Sequence, residues 1–437
     1  MQENSFFEKA FKLKKHGTDF KTEIMAGITT FMTMSYILAV NPQILSESGM
    51  DYGAVFTSTI ITSVIAMLIM AFYANLPFAL SAGMGLNAFF TYTVVMQMGK
   101  TWQFALTAVF LEGIIFLLLS FVGAREAIFN SIPINLKKAV SVGIGLFIAE
   151  IGLLNTGIII PGDISLQLGS ITNANGFIFF LALIIMVVLT AKNVKGALLW
   201  GILVSTVISL ILGVTAFPKT NILSLPPSIS PIAFKLDFSN VFSLEMFSVL
   251  FSFLFVDIFD TLGTLTGVAT KAKMLDENGN LPEASKALFS DAVGTSVGAL
   301  LGTSTITTFV ESSSGVAEGG RTGLTTLATA ICFVIAAFFF PVFSIIPAPA
   351  TSAALVTVGL FMITTVVEID FKDISEAFPA FMTILMMPLT YSIAEGISFG
   401  IISYAIIKLL TGKGKEVSPL VYVLALVFIL RYLLPLF

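Results

Sequence analysis

Residues 300–320 read LLGTSTITTFVESSSGVAEGG, and residues 76–95 read LPFALSAGMGLNAFFTYTVV. Both stretches have the length of a membrane span, yet neither has the pattern of one continuous helix. TSTITTF is β-branched and strand-like, and the stretch at 76–95 carries Pro77, Gly83 and Gly85. Irregular backbone at membrane depth is tolerated only where it is buried in protein or lines a cavity. Each stretch is therefore predicted to form a short strand that leads into a half-helix.

The starts of the two half-helices are expected to face each other and to form a polar cradle. A helix N-terminus presents unbonded N–H groups and the positive end of the helix dipole. Ser81, Thr308 and Ser312 supply hydroxyls near those starts, and Asn87 supplies an amide. The alternative is a pair of glycine-rich packing interfaces. That alternative explains the glycines but leaves Asn87, Glu311 and the serine run unexplained.

The composition is that of a membrane protein. The chain has 437 residues, of which 56% are hydrophobic and 11% charged, whereas soluble domains carry about 25% charged residues. Mean hydropathy is +0.98. The net charge of −4 is too small to indicate a nucleic-acid partner. The only cysteine, Cys332, excludes a disulfide within the chain, and the only histidine, His16, argues against histidine-based catalysis or a metal site.

Apolar segments of span length fall into two sets of seven. The first set is 24–41, 53–74, 84–97, 102–122, 135–155, 175–190 and 194–215, and the second is 244–268, 284–302, 310–318, 322–345, 350–367, 376–391 and 394–410. The stretch 418–436, which contains Arg431, is either an interfacial helix or an extra span.

The two sets resemble each other in sequence. IPINLKKAVSVGIGLF (132–147) aligns without gaps on IPAPATSAALVTVGLF (346–361), with Gly145 opposite Gly359. Seven spans per half is an odd number, so the second half must insert upside down, as in the inverted repeats of secondary transporters. Chance similarity between apolar segments is the alternative. The predicted fold is an all-α polytopic membrane protein of 14 transmembrane segments in two inverted repeats of seven.

Basic residues predict the orientation, because cytoplasmic loops carry an excess of Lys and Arg. The loops 42–52, 156–174 and 341–350 carry neither and are predicted to lie outside. The chain is expected to be multi-pass in a bacterial-type cytoplasmic (inner) membrane, in contact with lipid and with its N-terminus in the cytoplasm. Lys100 has an ambiguous position, and Lys219 and Lys235 are mild exceptions. The residues that support this orientation are the N-terminal arm, Arg125, Lys137, Lys138, Lys192, Lys195, Lys271, Lys273, Lys286, Arg321, Lys372 and Lys408 to Lys415.

Acidic residues occur inside the apolar segments of the second half. FVDIFDTLGT (255–264) contains Asp257 and Asp260 on one helix face, and TTFVESSSG (307–315) contains Glu311. A carboxylate at bilayer depth costs about 2.5 kcal/mol or more, so it needs a partner, a water-filled cavity or a function. The alternative for Asp257 and Asp260 is a cap on a neighbouring helix, and for Asp291 a structural tether. Transport through a polar site between helices is the favoured interpretation.

The chemistry of this site indicates the kind of substrate. No Lys, Arg or His lies near these acids, so the ligand is expected to be a cation or a neutral molecule rich in N–H donors. A purine base fits, because a carboxylate accepts from its ring N–H and Asn87 both donates and accepts. Phe89, Phe90, Phe255 or Phe309 would stack on the ring, with ordinary packing as the alternative for each.

The motifs TFMTMSYILAVNP (30–42), SAGMGLNAFF (81–90), FVDIFDTLGT and TTFVESSSGVAEGGRTGL (307–324) closely resemble the AzgA-like purine permeases. These belong to the nucleobase–ascorbate transporter superfamily, as does the bacterial uracil permease. The resemblance covers nearly the whole chain. It implies a core domain of spans 1–4 and 8–11 (residues 1–122 and 244–345) and a gate domain of spans 5–7 and 12–14 (residues 123–220 and 346–437). An extracellular connection, 221–243, separates the halves, and the gate is expected to form a homodimer contact.

The resemblance also implies an activity, namely proton-coupled uptake of hypoxanthine, guanine or adenine by an elevator-like mechanism. Asp257 and Glu311 match the base-binding acids, Gly85 and Asn87 match the contribution of the third span, and Asp260 matches an acid that the family needs for function. The expected substrate-binding set is Asp257, Glu311, Asn87, Gly85, Thr308, Ser312 and Phe309.

One departure from the wider superfamily concerns the proton. The uracil permease has a histidine one turn after its eighth-span acid, where this chain has Thr261. The proton is therefore expected on Asp257, or on the set that it forms with Asp260, Glu311 and Asp291, because burial and neighbouring acids favour a protonated carboxylate. Na⁺ is the alternative coupling ion, and no cofactor is expected.

Two other functional classes are alternatives to purine transport. An anion transporter of the same fold would want a basic residue in spans 3, 8 or 10, where the chain shows acids instead. A membrane enzyme would use the acids for catalysis or metal binding, but the chain has no HExxH-type motif. We therefore expect a transporter and not an enzyme.

Overall fold

The computed structural model describes residues 6–121, 131–162, 166–217, 221–275 and 281–433. Arg125 and Lys219, which entered the prediction of orientation, lie outside these ranges. The predicted domain boundaries near 122 and 220 also fall outside them.

The first half of the described chain is helical apart from three short strands. Its elements are α1 Phe6–Phe11, α2 Phe20–Met34, α3 Ile37–Ser46, α4 Tyr52–Ile69, β1 Leu80–Ala82, α5 Met84–Ala88, α6 Trp102–Phe121, α7 Ile134–Asn155, β2 Ile159–Pro161, β3 Leu166–Leu168, α8 Ala174–Ala191 and α9 Ala197–Ile211. Two π-helical turns, Met70–Ala74 and Phe89–Gln97, extend α4 and α5.

The second half begins after a long connection. Its elements are α10 Leu244–Ala272, α11 Ala284–Leu301, β4 Ile306–Thr308, α12 Ser312–Ala317, α13 Gly323–Ala336, α14 Phe340–Ser344, α15 Ala348–Ile363, α16 Ile374–Thr390, α17 Ile393–Leu410 and α18 Pro419–Leu433. The predicted strand-then-half-helix pattern is present in both halves, as β1 before α5 and β4 before α12. The β2–β3 hairpin was not predicted and corrects the all-α description.

Nine helices or runs of helix within the described residues are long and apolar enough to cross a membrane, and three shorter apolar helices accompany them. The chain is therefore a mostly α-helical, multi-pass membrane protein. The total of fourteen spans and the inverted relation of the two halves stay predictions.

The helices pack into two groups. In the first, α2 packs on α13, α4 on α11 and α13, and α6 on α10 and α11. In the second, α7 packs on α15 and α16, α8 on α9 and α15, and α16 on α17. The groups contain the segments assigned to core and gate, although that division itself stays a prediction. We call them the core group and the gate group.

Close backbone contacts hold each group together, because small residues let membrane helices approach. In the core group a Cβ at Gly27 of α2 would collide with Ala328 and Thr325 of α13. In the gate group Gly145 of α7 and Gly359 of α15 lie against each other's carbonyl oxygens. These are the two glycines that the sequence alignment placed opposite each other.

The buried carboxylate of Glu23 joins α2 to the start of α13. Its oxygens accept hydrogen bonds from the backbone N–H groups of Arg321 at 2.8 Å and Thr325 at 3.1 Å, and from the Thr325 hydroxyl at 2.6 Å. A carboxylate at a helix N-terminus satisfies N–H groups that have no partner within the helix. This contact fixes the first span of the core group against the segment that follows α12.

Helix α18 covers most of the stretch 418–436. It packs against α17 in antiparallel fashion, since Arg431 near its end bonds Glu395 near the start of α17 at 2.8 Å. At the other end, the hydroxyl of Tyr422 donates to the carbonyl oxygen of Gly414, just after α17, at 3.0 Å. The helix therefore runs alongside a candidate span, and whether it is an extra span or an interfacial helix stays a prediction.

Two membrane faces can be defined from contacts between helix ends. Asn155, which ends α7, bonds Glu47, which follows α3. We call the face at which α3 ends the distal face, and the face at which α2 begins the proximal face. Lys100, whose position the sequence left ambiguous, pairs with Glu245 at the start of α10.

Replacing Gly145 by Ala should destabilise the gate group. The new Cβ would lie 2.7 Å from the carbonyl oxygen of Gly359, and overpacking of this kind costs about 1–3 kcal/mol. Gly267→Ala is the matched control, because a Cβ there meets nothing within 4 Å. Thermal unfolding of the detergent-solubilised protein measures both. Equal midpoints for the two variants would contradict the close α7–α15 contact.

Candidate functional site

The two irregular stretches pair with each other in the middle of the core group. Strand β1 runs antiparallel to β4 in the register Leu80 with Thr308, Ser81 with Thr307 and Ala82 with Ile306. Two further backbone bonds extend the pairing, from Gly83 N to the oxygen of Thr305 at 3.0 Å and from Phe309 N to the oxygen of Ala79 at 2.9 Å. The strands thus satisfy their backbone groups and hold the starts of α5 and α12 in place.

Glu311 stands at the start of α12 and receives a hydrogen bond from another span. The hydroxyl of Tyr36, the residue that precedes α3, donates to Glu311 Oε1 at 2.7 Å. Tyr36 is buried and Glu311 partly buried. A hydrogen bond to a charged group is worth about 1.5–3 kcal/mol, more than a neutral one. Tyr36 therefore fixes the orientation of this carboxylate.

Asp260 is the second acid at this place. It lies on α10, is partly buried, and accepts a hydrogen bond from the side chain of Thr307 in β4. It also interacts electrostatically with Glu311 and with Tyr36. Tyr36, Asp260 and Glu311 thus come from three different segments and converge, and we call them the acid cluster.

Asp257, expected to bind the base, is fully buried, and the hydroxyl of Thr261 lies 2.8 Å from Asp257 Oδ1 and 3.1 Å from Asp291 Oδ1. Thr261 thereby links α10 to α11. Asp291 also interacts with Asp260, so Asp291 connects Asp257 with the acid cluster. The base-binding role of Asp257 stays a prediction.

The span-3 residues lie where the core group meets the gate group. A Cβ at Gly85 would lie 2.9 Å from Ile144 Cγ2 of α7, so only glycine fits there without movement. The side-chain oxygen of Asn87 accepts a hydrogen bond from Ser304. The Asn87 nitrogen and the Thr308 hydroxyl are buried and have no hydrogen-bond partner among the described residues. A buried donor without a partner costs about 1–3 kcal/mol, which a ligand would relieve.

Other predicted site residues have structural partners. The hydroxyl of Ser312 accepts a hydrogen bond from the backbone N–H of Ala79 at 2.9 Å, which ties α12 to β1. The Phe309 ring is buried within the apolar core. Ser81, expected to supply a hydroxyl, bonds Ser63 of α4 at 2.8 Å. These contacts position the half-helices.

An open stripe runs from the acid cluster along α10 toward the proximal face. Gly263 and Gly267, one and two turns beyond Asp260, have nothing within 4 Å of a Cβ built on them. Thr266 and Thr270 are exposed beside them, and Val310, next to Glu311, is 50% exposed. Glycine and threonine are not the large apolar side chains that helices present to lipid. This stripe is therefore an exposed part of α10 with small and hydroxyl side chains.

Sequence reasoning missed Tyr36 and Thr307 as site residues. Tyr36 lies in the motif TMSYILAVNP, which supported the resemblance but gave Tyr36 no role. A hydroxyl-bearing aromatic residue inside an apolar span was the available signal, because a buried Tyr usually finds a hydrogen-bond partner. Thr307 was seen only as a β-branched strand residue, and its place opposite Asp260 depends on the tertiary fold.

Comparison with known proteins places the chain in a family. A sequence model described as a permease family matches residues 21–399. The chain belongs to this permease family. The resemblance to purine permeases of the nucleobase–ascorbate transporter superfamily is thereby confirmed, and the chain is a transporter and not an enzyme.

Its relatives include proteins named for purine bases. The chain is 50% identical over 428 residues to putative permease MJ0326 of Methanocaldococcus jannaschii, covering 98% of each chain. It is 40% identical to adenine permease AdeP of Escherichia coli, covering 97% of this chain and 95% of AdeP. It is 44% identical to guanine/hypoxanthine permease PbuO of Bacillus subtilis, covering 96% of this chain and 99% of PbuO.

A solved structure shares the fold. The transmembrane domain of the cyanobacterial bicarbonate transporter BicA matches with a TM-score of 0.65 at 14% identity, covering 87% of this chain and 97% of that one. At this level of identity the likeness concerns the fold alone. It carries no information about substrate.

Replacing Tyr36 by Phe should lower substrate affinity about tenfold, because the Glu311 carboxylate loses its hydrogen-bond donor. Initial uptake rates of radiolabelled purine bases in cells lacking their own permeases measure the effect. Tyr52→Phe is the matched control. Tyr52 also uses its hydroxyl, donating to the oxygen of Phe343 at 3.2 Å, but it lies outside the acid cluster. Equal losses in both variants would show that Tyr36 has only a structural role.

Proposed function

We propose that this permease imports purine nucleobases, among hypoxanthine, guanine and adenine, together with protons. The main observation behind the proposal is that Asp260, Glu311 and Tyr36 converge from three segments. The names of the relatives AdeP and PbuO supply the substrate class.

The chemistry of the acid cluster suits a base with several N–H groups. An ionised carboxylate of Glu311 or Asp260 accepts from ring or exocyclic N–H groups, and the unpartnered Asn87 nitrogen donates to a carbonyl or ring nitrogen. The elements β1, α5, β4 and α12 carry no Lys, Arg or His. An anion would therefore meet acids without a compensating cation, which disfavours transport of anions such as bicarbonate.

The acids also offer places for a proton. Asp257 and Asp291 share the Thr261 hydroxyl, and Asp291 interacts with Asp260. A hydroxyl has one proton, so it can donate to one of the two carboxylates at a time. A transported proton shared within the set Asp257, Asp260, Asp291 and Glu311 would remove the like-charge repulsion. Asp257 is connected to the acid cluster through Thr261 and Asp291. In this proposal Asp257 holds the proton while the other acids bind the base.

We further propose alternating access by an elevator-like movement of the core group past the gate group, with fourteen spans in two inverted repeats. Support comes from the pairing of β1 with β4, which come from corresponding spans, and from the mutual contact of Gly145 and Gly359. The exposed stripe of α10 runs from Asp260 toward the proximal face, and we infer that the acid cluster is accessible from that side. With the N-terminus in the cytoplasm of a bacterial-type cell, this arrangement is an inward-open state. The gate group then forms the contact of a homodimer.

Uptake of radiolabelled hypoxanthine, challenged with each purine base and with uracil, tests the function. Purines should compete and uracil should not. Because protons are cotransported, the initial rate should rise as the external pH falls, and a protonophore should reduce accumulation to the level of the medium. Unchanged accumulation with the protonophore, together with loss on removal of Na⁺, would assign coupling to Na⁺ instead.

Substitution of single acids separates base binding from proton coupling. Glu311→Gln and Asp260→Asn should each reduce purine uptake at least about tenfold, the value of one charge-assisted hydrogen bond. Asp257→Asn should abolish accumulation against a gradient while leaving exchange of labelled for unlabelled base. Glu368→Gln is the control, because this exposed acid pairs with Lys138 away from the cluster. Concentrative uptake by Asp257→Asn would refute its role in proton coupling.

A further inference from the structure

A polar cavity lies at the distal face, between the core group and the gate group. Its volume is about 230 Å³. The core group contributes residues of α3 together with Glu47, and the gate group contributes Asn155 at the end of α7 and the first turns of α15. The cavity belongs to neither group alone, so its shape depends on how the groups are placed relative to each other.

The polar lining resembles the acid cluster in its chemistry. It offers one carboxylate, two amides and two hydroxyls, from Glu47, Gln43, Asn155, Thr351 and Ser352. Asn155 uses its nitrogen to donate to Glu47 Oε1 at 3.2 Å and to the Tyr92 hydroxyl at 2.7 Å. The Glu47 carboxylate thus keeps acceptor capacity for a ligand, since each carboxylate has about four lone-pair sites. Among the residues that the structure describes, no Lys, Arg or His lines the cavity.

The remaining lining is apolar and comes from both sides. Val40 and Ile44 of α3 stand opposite Ala348 and Leu355 of α15. Two aliphatic walls with a polar rim suit a flat heterocycle, which is apolar on its faces and polar at its edge. The volume is below the roughly 300–1,000 Å³ of sites for drug-sized ligands, so a ligand no larger than a single base fits.

The position of the cavity relates it to the acid cluster. Tyr36, Val40, Ile44 and Glu47 follow one another at spacings of three or four residues on one side of α3 and its two flanking residues, and Gln43 lies next to Ile44. Tyr36 bonds Glu311, whereas Val40 and Glu47 line the cavity. At 1.5 Å per residue, the cavity lining begins about 6 Å from Tyr36 along the helix, at Val40, and ends about 16 Å from it, at Glu47. A substrate that enters from the distal face between the two groups passes the cavity first.

We propose that this cavity is an outer subsite, which binds a purine base before the base reaches the acid cluster. The inference rests on the proposed function, because it takes the substrate class from there. Glu47 accepts from the N–H groups of the base, and the Gln43 and Asn155 amides bond its carbonyl or ring nitrogens. Because the lining comes from both groups, movement of the core group would change the shape of the subsite.

Chemical labelling of a cysteine in the cavity tests the subsite directly. Gln43→Cys is made in a Cys332→Ser background and labelled with a maleimide in the purified, detergent-solubilised full-length protein. Glu311→Gln is added to weaken binding at the acid cluster, so that filling of the cavity and filling of the acid cluster occur at different base concentrations. Hypoxanthine and adenine should each slow the labelling at least about threefold at saturation, and ribose should not. Asp260→Asn replaces Glu311→Gln if that variant does not fold.

Two controls establish where the protection arises. Ser239→Cys, on the exposed connection outside the cavity, should be labelled at the same rate with and without base. Glu47→Gln should raise the half-protecting base concentration about tenfold, as expected for the loss of a hydrogen bond to a charged group. Glu245→Gln, an exposed acid that pairs with Lys100 away from the cavity, should leave it unchanged.

The outcomes separate this inference from the proposed function. If the wild-type chain takes up purines but bases do not protect Gln43→Cys, the outer subsite is overturned and the proposed function stands. Protection that Glu47→Gln leaves intact overturns it as well. If the wild-type chain takes up no purine and bases give no protection, both fall.

Discussion

The pairing of β1 with β4 is the contact on which the rest of the structure depends. Two stretches of non-helical backbone lie within the apolar core of the protein, where each unsatisfied backbone group would cost several kcal/mol. Each strand supplies hydrogen-bond partners for the backbone groups of the other, in a register that sets Thr307 opposite Ser81. The half-helices α5 and α12 begin directly after the strands, so this register also decides where Asn87 and Glu311 lie. Without it, neither side chain would have a fixed position relative to the acids of α10.

The sequence predicted those features that follow from local composition. Proline, glycine and β-branched residues in TSTITTF and in LPFALSAGMG were enough to predict two strands followed by half-helices, because they disfavour a continuous helix locally. Residues that act through distant contacts were not predictable in the same way. Asp257 and Asp260 share a helix face by spacing, yet they have different partners. Asp257 accepts a hydrogen bond from Thr261, which also contacts Asp291, whereas Asp260 accepts one from Thr307 and interacts with Glu311. These partners depend on where α11 and β4 lie in the fold, and the spacing of residues within α10 cannot predict that.

Fold and substrate are specified by different residues in this architecture. The BicA domain shares the fold at 14% identity and belongs to a protein named as a bicarbonate transporter, whereas relatives at 40–44% identity are named for adenine, guanine and hypoxanthine. Small residues such as Gly27 and Gly145 let helices approach closely, and this role does not depend on the substrate. The charged groups beside the strand pair are Glu311 at the start of α12 and Asp260 of α10. Both are acidic, and Tyr36 and Thr307 orient them with their hydroxyls. If these acids bind the substrate as proposed, a change of substrate needs changes at only a few positions around one strand pair.

The two faces of the molecule hold the core group and the gate group together with unequal strength. At the distal face, Asn155 bonds the buried Tyr92 at 2.7 Å, the Thr93 hydroxyl donates to the carbonyl oxygen of Tyr391 at 3.1 Å, and the rings of Tyr92 and Tyr391 meet edge to face. At the proximal face, the bridging ion pair of Lys195 with Glu318 joins exposed side chains, and such pairs contribute about 0–1 kcal/mol. Buried hydrogen bonds and ring contacts outweigh a solvated ion pair, so the distal contacts determine the observed arrangement. In the proposed elevator-like movement, opening toward the distal side would break these contacts, and a ligand bound between α3 and α15 would replace some of them.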